Sequence, residues 1–308
     1  MSLEIEEKLE KIPVINHLVR LMKSIKLPWL EGLSFYDLME LYIIGIAQGA
    51  FSYRAGAIAF SFFMALFPFA LFILNLIPYI PIDNFQIDFL RFVEDGVPPN
   101  TFEAIKSIID DILNNSYKGL LSSGFILSIF LMSNGINAIL GGFETSYHIT
   151  ISRSFVRQYL ISLGMSILLS FILIVTVAAI VVSEVFIQKI QLHEIVDTDI
   201  SFIELIRYGF VILMILITTS LLFKFGTKQT SKVAFISIGS VFTTILIILS
   251  SYVFGIYVVK FAKYNELYGS IGTLLILMFY IWINCMVLLL GFELNATINK
   301  LKRKNLYD

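Results

Sequence analysis

Six stretches of this chain are apolar almost without interruption, at 55–77, 120–142, 159–183, 208–225, 233–259 and 270–292. Each is near the roughly 20 residues a helix needs to cross the hydrocarbon core of a bilayer. No water reaches a backbone there, so a span must satisfy its own N–H and C=O groups, which leaves helices or a closed barrel. A barrel strand needs only about 9–11 alternating residues. These runs are too long and too continuous for that, so helices are expected. Composition agrees: 57% of the 308 residues are hydrophobic and 15% charged, against about 45–50% and 25% in soluble domains. The mean hydropathy is +0.85. The fold class is therefore all-α, a polytopic membrane helix bundle.

The positive charges orient the bundle. Lysines and arginines precede the first run (Lys8, Lys11, Arg20, Lys23, Lys26, Arg54) and lie between the second and third (Arg153, Arg157). They recur between the fourth and fifth (Lys224, Lys228, Lys232) and in the tail (Lys300, Lys302, Arg303, Lys304). All fifteen fall on one side, and seven on the other. The positive-inside rule places both termini in the cytoplasm. The bundle is expected to occupy the cytoplasmic (inner) membrane. No cleavable signal is visible in the charged first thirty residues.

Three parts follow. Residues 1–53 form a cytoplasmic or interfacial amphipathic segment. In it Ile5, Leu9, Ile12, Ile15, Val19, Met22 and Ile25 make one stripe, with Pro13 restarting the helix. Its second half, 35–52, is apolar but carries Asp37, Glu40, Gly45 and Gln48, and reads as interfacial or re-entrant. Residues 54–298 hold the six spans, with an acidic outer loop at 78–119. There Phe102, Ile105, Ile109, Ile112 and Leu113 recur at helical spacing. Residues 299–308 are a basic cytoplasmic tail.

The run Arg54-Ala-Gly-Ala-Ile-Ala-Phe-Ser-Phe-Phe-Met-Ala-Leu-Phe-Pro68 resembles the first-helix signature of the YihY/BrkB membrane protein family. Tyr268-Gly-Ser-Ile-Gly-Thr, Phe279-Tyr-Ile-Trp282 and Leu290-Gly-Phe-Glu-Leu-Asn-Ala296 are similar to its closing motif. Arg153 and Leu222-Phe-Lys-Phe agree more loosely. The resemblance spans about 45–298. Phe292 stands where alanine is usual, Phe-Ser-Phe-Phe where Tyr-Tyr is common, and the proline after the fourth span is missing. The resemblance implies six helices with both ends inside. It supplies no catalytic residues, because members once labelled ribonuclease BN have no settled activity. It suggests movement of a lipid or other amphipathic envelope component.

Polar groups inside a membrane are costly and mark function or pairing. On the second span Asn134, Asn137, Gly141 and Glu144 share a face at spacings of 3, 4 and 3. That face is either the wall of a polar cavity or a surface for interhelical hydrogen bonds. On the sixth, Asn284, Gly291 and Asn295 share a face, and Glu293 points elsewhere. Arg54 is expected to pair with Glu293 or Glu144 and clasp one end of the bundle. Pro68 frees a backbone carbonyl in the first span. These eight, Arg54, Pro68, Asn134, Asn137, Glu144, Asn284, Glu293 and Asn295, form the candidate polar pathway or structural clasp.

The topology separates His17 and His148 from His193, so they cannot share a site. The acidic cluster lies outside, away from cytoplasmic RNA, and no P-loop GxxxxGK[ST] is present. An enzyme, a cofactor, a metal and a nucleic-acid partner are not expected. The lone Cys285 permits no intrachain disulfide. Beside an enzyme acting on membrane substrates, two readings remain: a transporter with a cavity between the second and sixth spans, taking a lipid or amphipathic substrate, or a membrane scaffold. A homo-oligomer or envelope partners fit either one.

Overall fold

The computed structural model describes residues 20–26, 34–76, 85–96, 106, 120–149, 153–193, 200–228, 234–261 and 270–305. Eight helices of this part carry the fold: α1 (Phe35–Gln48), α2 (Phe51–Leu76), α3 (Phe85–Gly96), α4 (Leu120–Glu144), α5 (Phe155–His193), α6 (Ile200–Gly226), α7 (Ile238–Phe261) and α8 (Ser270–Asn305). No named strand occurs among the described residues.

Helices α5 to α8 each contain a stretch long and apolar enough to span: Phe155–Ser183, Leu205–Gly226, Ile238–Val258 and Leu274–Lys302. Helices α1 and α2 pass the same test as a pair, bent by 63° at their junction, which makes them one broken span, the fifth, or a re-entrant loop. Helix α4 has the length of a span, at 25 residues. The stripe of residues 5–25 lies mostly outside the described residues, and so does the helix expected over 102–113. A shorter amphipathic helix, α3, is found earlier in that loop, with Phe85 and Phe89 buried one turn apart.

Local chemistry sets the corner between α1 and α2. Ser34 caps α1: its hydroxyl accepts from the Asp37 amide at 3.3 Å, and the Asp37 carboxylate accepts from the Ser34 amide at 2.8 Å. This reciprocal box satisfies two otherwise free donors. The helix stops at Gly49, and Ala50 follows with φ 45°. That is the left-handed region, which costs a non-glycine residue roughly 1–2 kcal/mol. The turn lets α1 fold back onto α8, where Leu38 packs with Leu294, Ile298 and Leu301.

The main core lies where α2, α4, α6 and α8 meet. Phe143, Phe292, Leu140, Leu289 and Ala55 are fully buried there. The Phe143 and Phe292 rings stack at 4.2 Å, and Phe223 meets both edge-on. Small residues allow close helix approach, as is common in membrane bundles. A Cβ on Gly142 would meet Ile58 Cδ1 at 2.6 Å, and one on Gly291 would strike Thr243 Oγ1 of α7.

Candidate functional site

Two features stand out: a buried polar cluster at one end of the bundle and an apolar cavity nearer its middle. The cluster is built around helix ends. Arg54, on the first turn of α2, is buried. Its Nε and Nη2 donate to the Gly142 carbonyl at 3.0 and 2.6 Å, and Nη1 donates to Gly49 O at 3.1 Å. One guanidinium thus serves carbonyls at the C-terminal ends of α4 and α1, where the helix dipoles favour a cation.

Glu293 of α8 completes the cluster. Its carboxylate has no exposed surface, and Oε2 lies 3.8 Å from Arg54 Nη1. Oε2 also accepts from Ser146 Oγ at 2.8 Å. Oε1 has no hydrogen-bond donor and sits 3.7 Å from His148 Nε2. The His148 ring is held on both sides, with Nε2 at 3.1 Å from Leu41 O and Nδ1 at 3.3 Å from Lys300 Nζ. An ammonium can only donate, so Nδ1 accepts and Nε2–H donates to Leu41 O. The ring is therefore neutral. Burial pushes the His148 pKa below its ordinary 6.5 and the Lys300 charge adds to this, while the bond to Leu41 O opposes it. The carboxylate fits because Gly45 of α1 lies against it: a Cβ there would come within 2.5 Å of Glu293 Oε1 and 2.8 Å of His148 Nε2.

The other expected residues take separate places. Glu144 accepts from the Arg153 amide at 3.4 Å, not from Arg54. The Arg153 guanidinium in turn donates to Phe225 O and Gly226 O at the end of α6, at 2.7 and 3.3 Å. Asn137 is half-buried and accepts from Ser162 Oγ of α5 at 3.4 Å, and Asn134 is exposed. Asn295 caps α7: Oδ1 accepts from the Gly239 amide at 2.8 Å, and Nδ2 donates to Ser237 Oγ at 2.7 Å. Asn284 donates to Tyr280 O within its own helix at 2.9 Å. Pro68 is half-buried within α2.

The structure therefore unites Arg54 and Glu293 and disperses the other six. It adds Gly45, Ser146, His148 and Lys300 to the cluster. Lys300 was legible, because it stands seven residues after Glu293, two turns on along the same face. Ser146 and His148 lie on a short turn after α4, where no periodicity points to them.

The cavity holds about 470 Å³, within the usual range of small-molecule sites. Helices α4, α5, α6 and α8 supply most of its wall, through residues such as Ile136, Leu169, Met214 and Cys285. It includes Asn284 but none of Asn134, Asn137 or Glu144. The buried Phe143–Phe292–Phe223 group lies one helical turn from its lining residues Ile139 and Leu288, on the side of the polar cluster. Among the described residues no group of three His, Cys, Asp or Glu side chains could hold a metal ion.

These features define a polytopic membrane protein, an all-helical bundle with an internal cavity and one end tied by buried charges. The profile of the family described as virulence factor BrkB matches residues 45–307, and the chain belongs to that family. It is similar to a Bacillus subtilis (strain 168) protein named as ribonuclease-like, YfkH, at 32% identity over 81% of this chain and 90% of the relative. It also resembles a UPF0761 membrane protein of Haemophilus influenzae (strain 86-028NP), at 22% identity over 80% of this chain and 89% of the relative. A UPF0761 membrane protein of Aggregatibacter aphrophilus (strain NJ8700) is 21% identical over 85% and 91%. No solved structure matches the chain.

Proposed function

We propose that this protein moves a lipid or another amphipathic envelope component across the cytoplasmic membrane. It does so as six spans with both termini in the cytoplasm. The observation that carries this reading is the cavity of about 470 Å³ among α4, α5, α6 and α8, next to residues midway along their apolar stretches. A helix bundle gains dispersion energy by filling its interior. A half-open recess of this size between the helices, with Leu140, Phe143 and Leu289 fully buried beside it, suits a guest. The polar cluster acts as the clasp that closes one end.

RNA cleavage is not part of this reading. A nuclease needs an acid–base pair or clustered metal ligands facing its substrate. Here Glu293 is held by Ser146 and Arg54, and Glu144 by the Arg153 amide, each between helices. The ribonuclease-like name belongs to the B. subtilis relative.

The test is lipid movement in proteoliposomes. Purified protein is reconstituted with headgroup-labelled phospholipids, and quenching of the outer leaflet is followed in time. Faster leaflet exchange than in protein-free vesicles is expected, and slower exchange after Ile136→Trp narrows the cavity. If folded protein moves neither these lipids nor other amphiphiles, the transport reading fails and a membrane scaffold takes its place.

A further inference from the structure

The chemistry of the cavity wall selects which part of an amphiphile can enter, and so deepens the transport reading given above. Its polar side chains, Thr218 among them, offer little to a guest, because most donate within their own helix. Ser166, Ser170, Thr176 and Thr219 donate their hydroxyls to Leu163 O, Ser166 O, Ile172 O and Leu216 O, at 2.8, 2.6, 2.7 and 3.1 Å. The Asn284 amide goes to Tyr280 O. The Tyr280 hydroxyl meets Ser251 Oγ at 2.7 Å. What faces the space is almost entirely side-chain hydrocarbon, with the Cys285 thiol among it.

A headgroup brought here would leave water for too few partners, at a cost of several kcal/mol for each group left unpaired. Apolar spaces favour apolar guests. The aromatic group of Phe143, Phe223 and Phe292 closes the side toward Arg54 and Glu293, so no charge reaches the guest from there. The lining residues Phe62 and Leu173 are each 38% exposed. They sit on helices set in a bilayer, where the available hydrocarbon is lipid tail.

We infer that the cavity is an acyl-chain site: it takes one hydrocarbon tail of a bilayer lipid, while the headgroup stays outside the α4–α5–α6–α8 wall. Cys285 lies against the bound tail. The site requires occupancy by a tail, not movement of one, so it can be tested without a transport assay.

The experiment is photolabelling in vesicles with two phosphatidylcholine probes, one carrying a diazirine in the tail and one in the headgroup, followed by peptide mapping. The tail probe is expected to modify the segments holding Ile136, Met214 and Cys285, and the headgroup probe to leave them untouched. Ser170→Leu and Thr219→Phe fill the space and are expected to cut labelling at Cys285 several-fold, leaving labelling at the outward-facing Phe171 and Leu249 unchanged. That outward labelling shows each variant to be membrane-embedded. Tail labelling of wild type confined to outward-facing residues would overturn the inference. So would equal labelling of the cavity by the headgroup probe. Either result can be obtained from wild type alone, whatever the variants do, and neither depends on whether lipid moves.

Discussion

At the scale of single residues, Arg54 does the work of three connections. It holds the ends of α1 and α4 by hydrogen bonds and neutralises Glu293 of α8. Breaking a buried pair from one side leaves an uncompensated charge and costs about 3–5 kcal/mol. Arg54→Met is therefore expected to destabilise the protein in detergent by that order. Adding Glu293→Gln should recover part of the loss but not all, because Gly142 O and Gly49 O still lack their donor. Full recovery in the double variant, by thermal unfolding, would mean that the carbonyl contacts contribute nothing. His148 supplies a pH signature. Its proton affinity is depressed in the folded protein, so below about 6.5 the unfolded chain takes up a proton that the folded one refuses. Its contribution is complete above that value and is lost as pH falls toward the folded pKa, with a slope of at most about 1.4 kcal/mol per pH unit. His148→Gln should flatten the acid side of the stability profile. An unchanged profile would show that the ring accepts its proton in place. From the sequence, Arg54 and Glu293 were open to recognition, since two opposite charges at the ends of apolar runs must be paired. The choice between Glu293 and Glu144 was not, because it depends on how α4 is rotated.

At the scale of elements, the spacing of polar residues identified helix faces but not their neighbours. Of Asn134, Asn137, Gly141 and Glu144, Asn137 bonds to Ser162 of α5 and Glu144 accepts from the Arg153 amide, while Asn134 is exposed. The cavity wall is made instead by the apolar positions between them, such as Ile136 and Ile139. Hydrophobic periodicity is nearly silent in a helix that is apolar all round, so rotation about the axis is set by packing of small residues. Gly291 shows this. It and Gly239 bring α7 and α8 together, and the Asn295 cap on α7 forms beside them. Gly291→Ala should cost more than 1 kcal/mol by overpacking, whereas Gly56→Ala, with nothing within 4 Å of a new Cβ, should be neutral or stabilise by a few tenths up to about 1 kcal/mol. Parallel unfolding curves of the two variants decide it: equal shifts would refute the tight crossing. Helix α3 escaped the sequence reading because its buried pair, Phe85 and Phe89, is only one turn long.

At the scale of the whole molecule, the apolar runs made an all-helical membrane bundle legible before any coordinates. A cavity between the second and sixth spans was expected from their polar faces, but its apolar wall and the share of α5 and α6 in it were not legible, since such a space is a property of four helices at once. The proposed orientation is open to a direct check. In a Cys285→Ser background, a cysteine at Asp308 should react with an impermeant thiol reagent only after the cytoplasmic face is opened, and one at Ile87, exposed on α3, should react in intact cells. The reverse pattern would invert the bundle.

The Arg54 contact with Glu293 also bears on how the chain is made. Arg54 leaves the ribosome roughly 240 residues before its carboxylate partner, which at the usual pace of synthesis is a delay on the order of 10–50 s. Throughout that interval the early helices carry an unmatched guanidinium at the edge of the bilayer, and only arrival of the last helix relieves it. A chain that stops short of α8 keeps the Arg54 bonds to Gly49 O and Gly142 O but lacks the carboxylate that balances the charge.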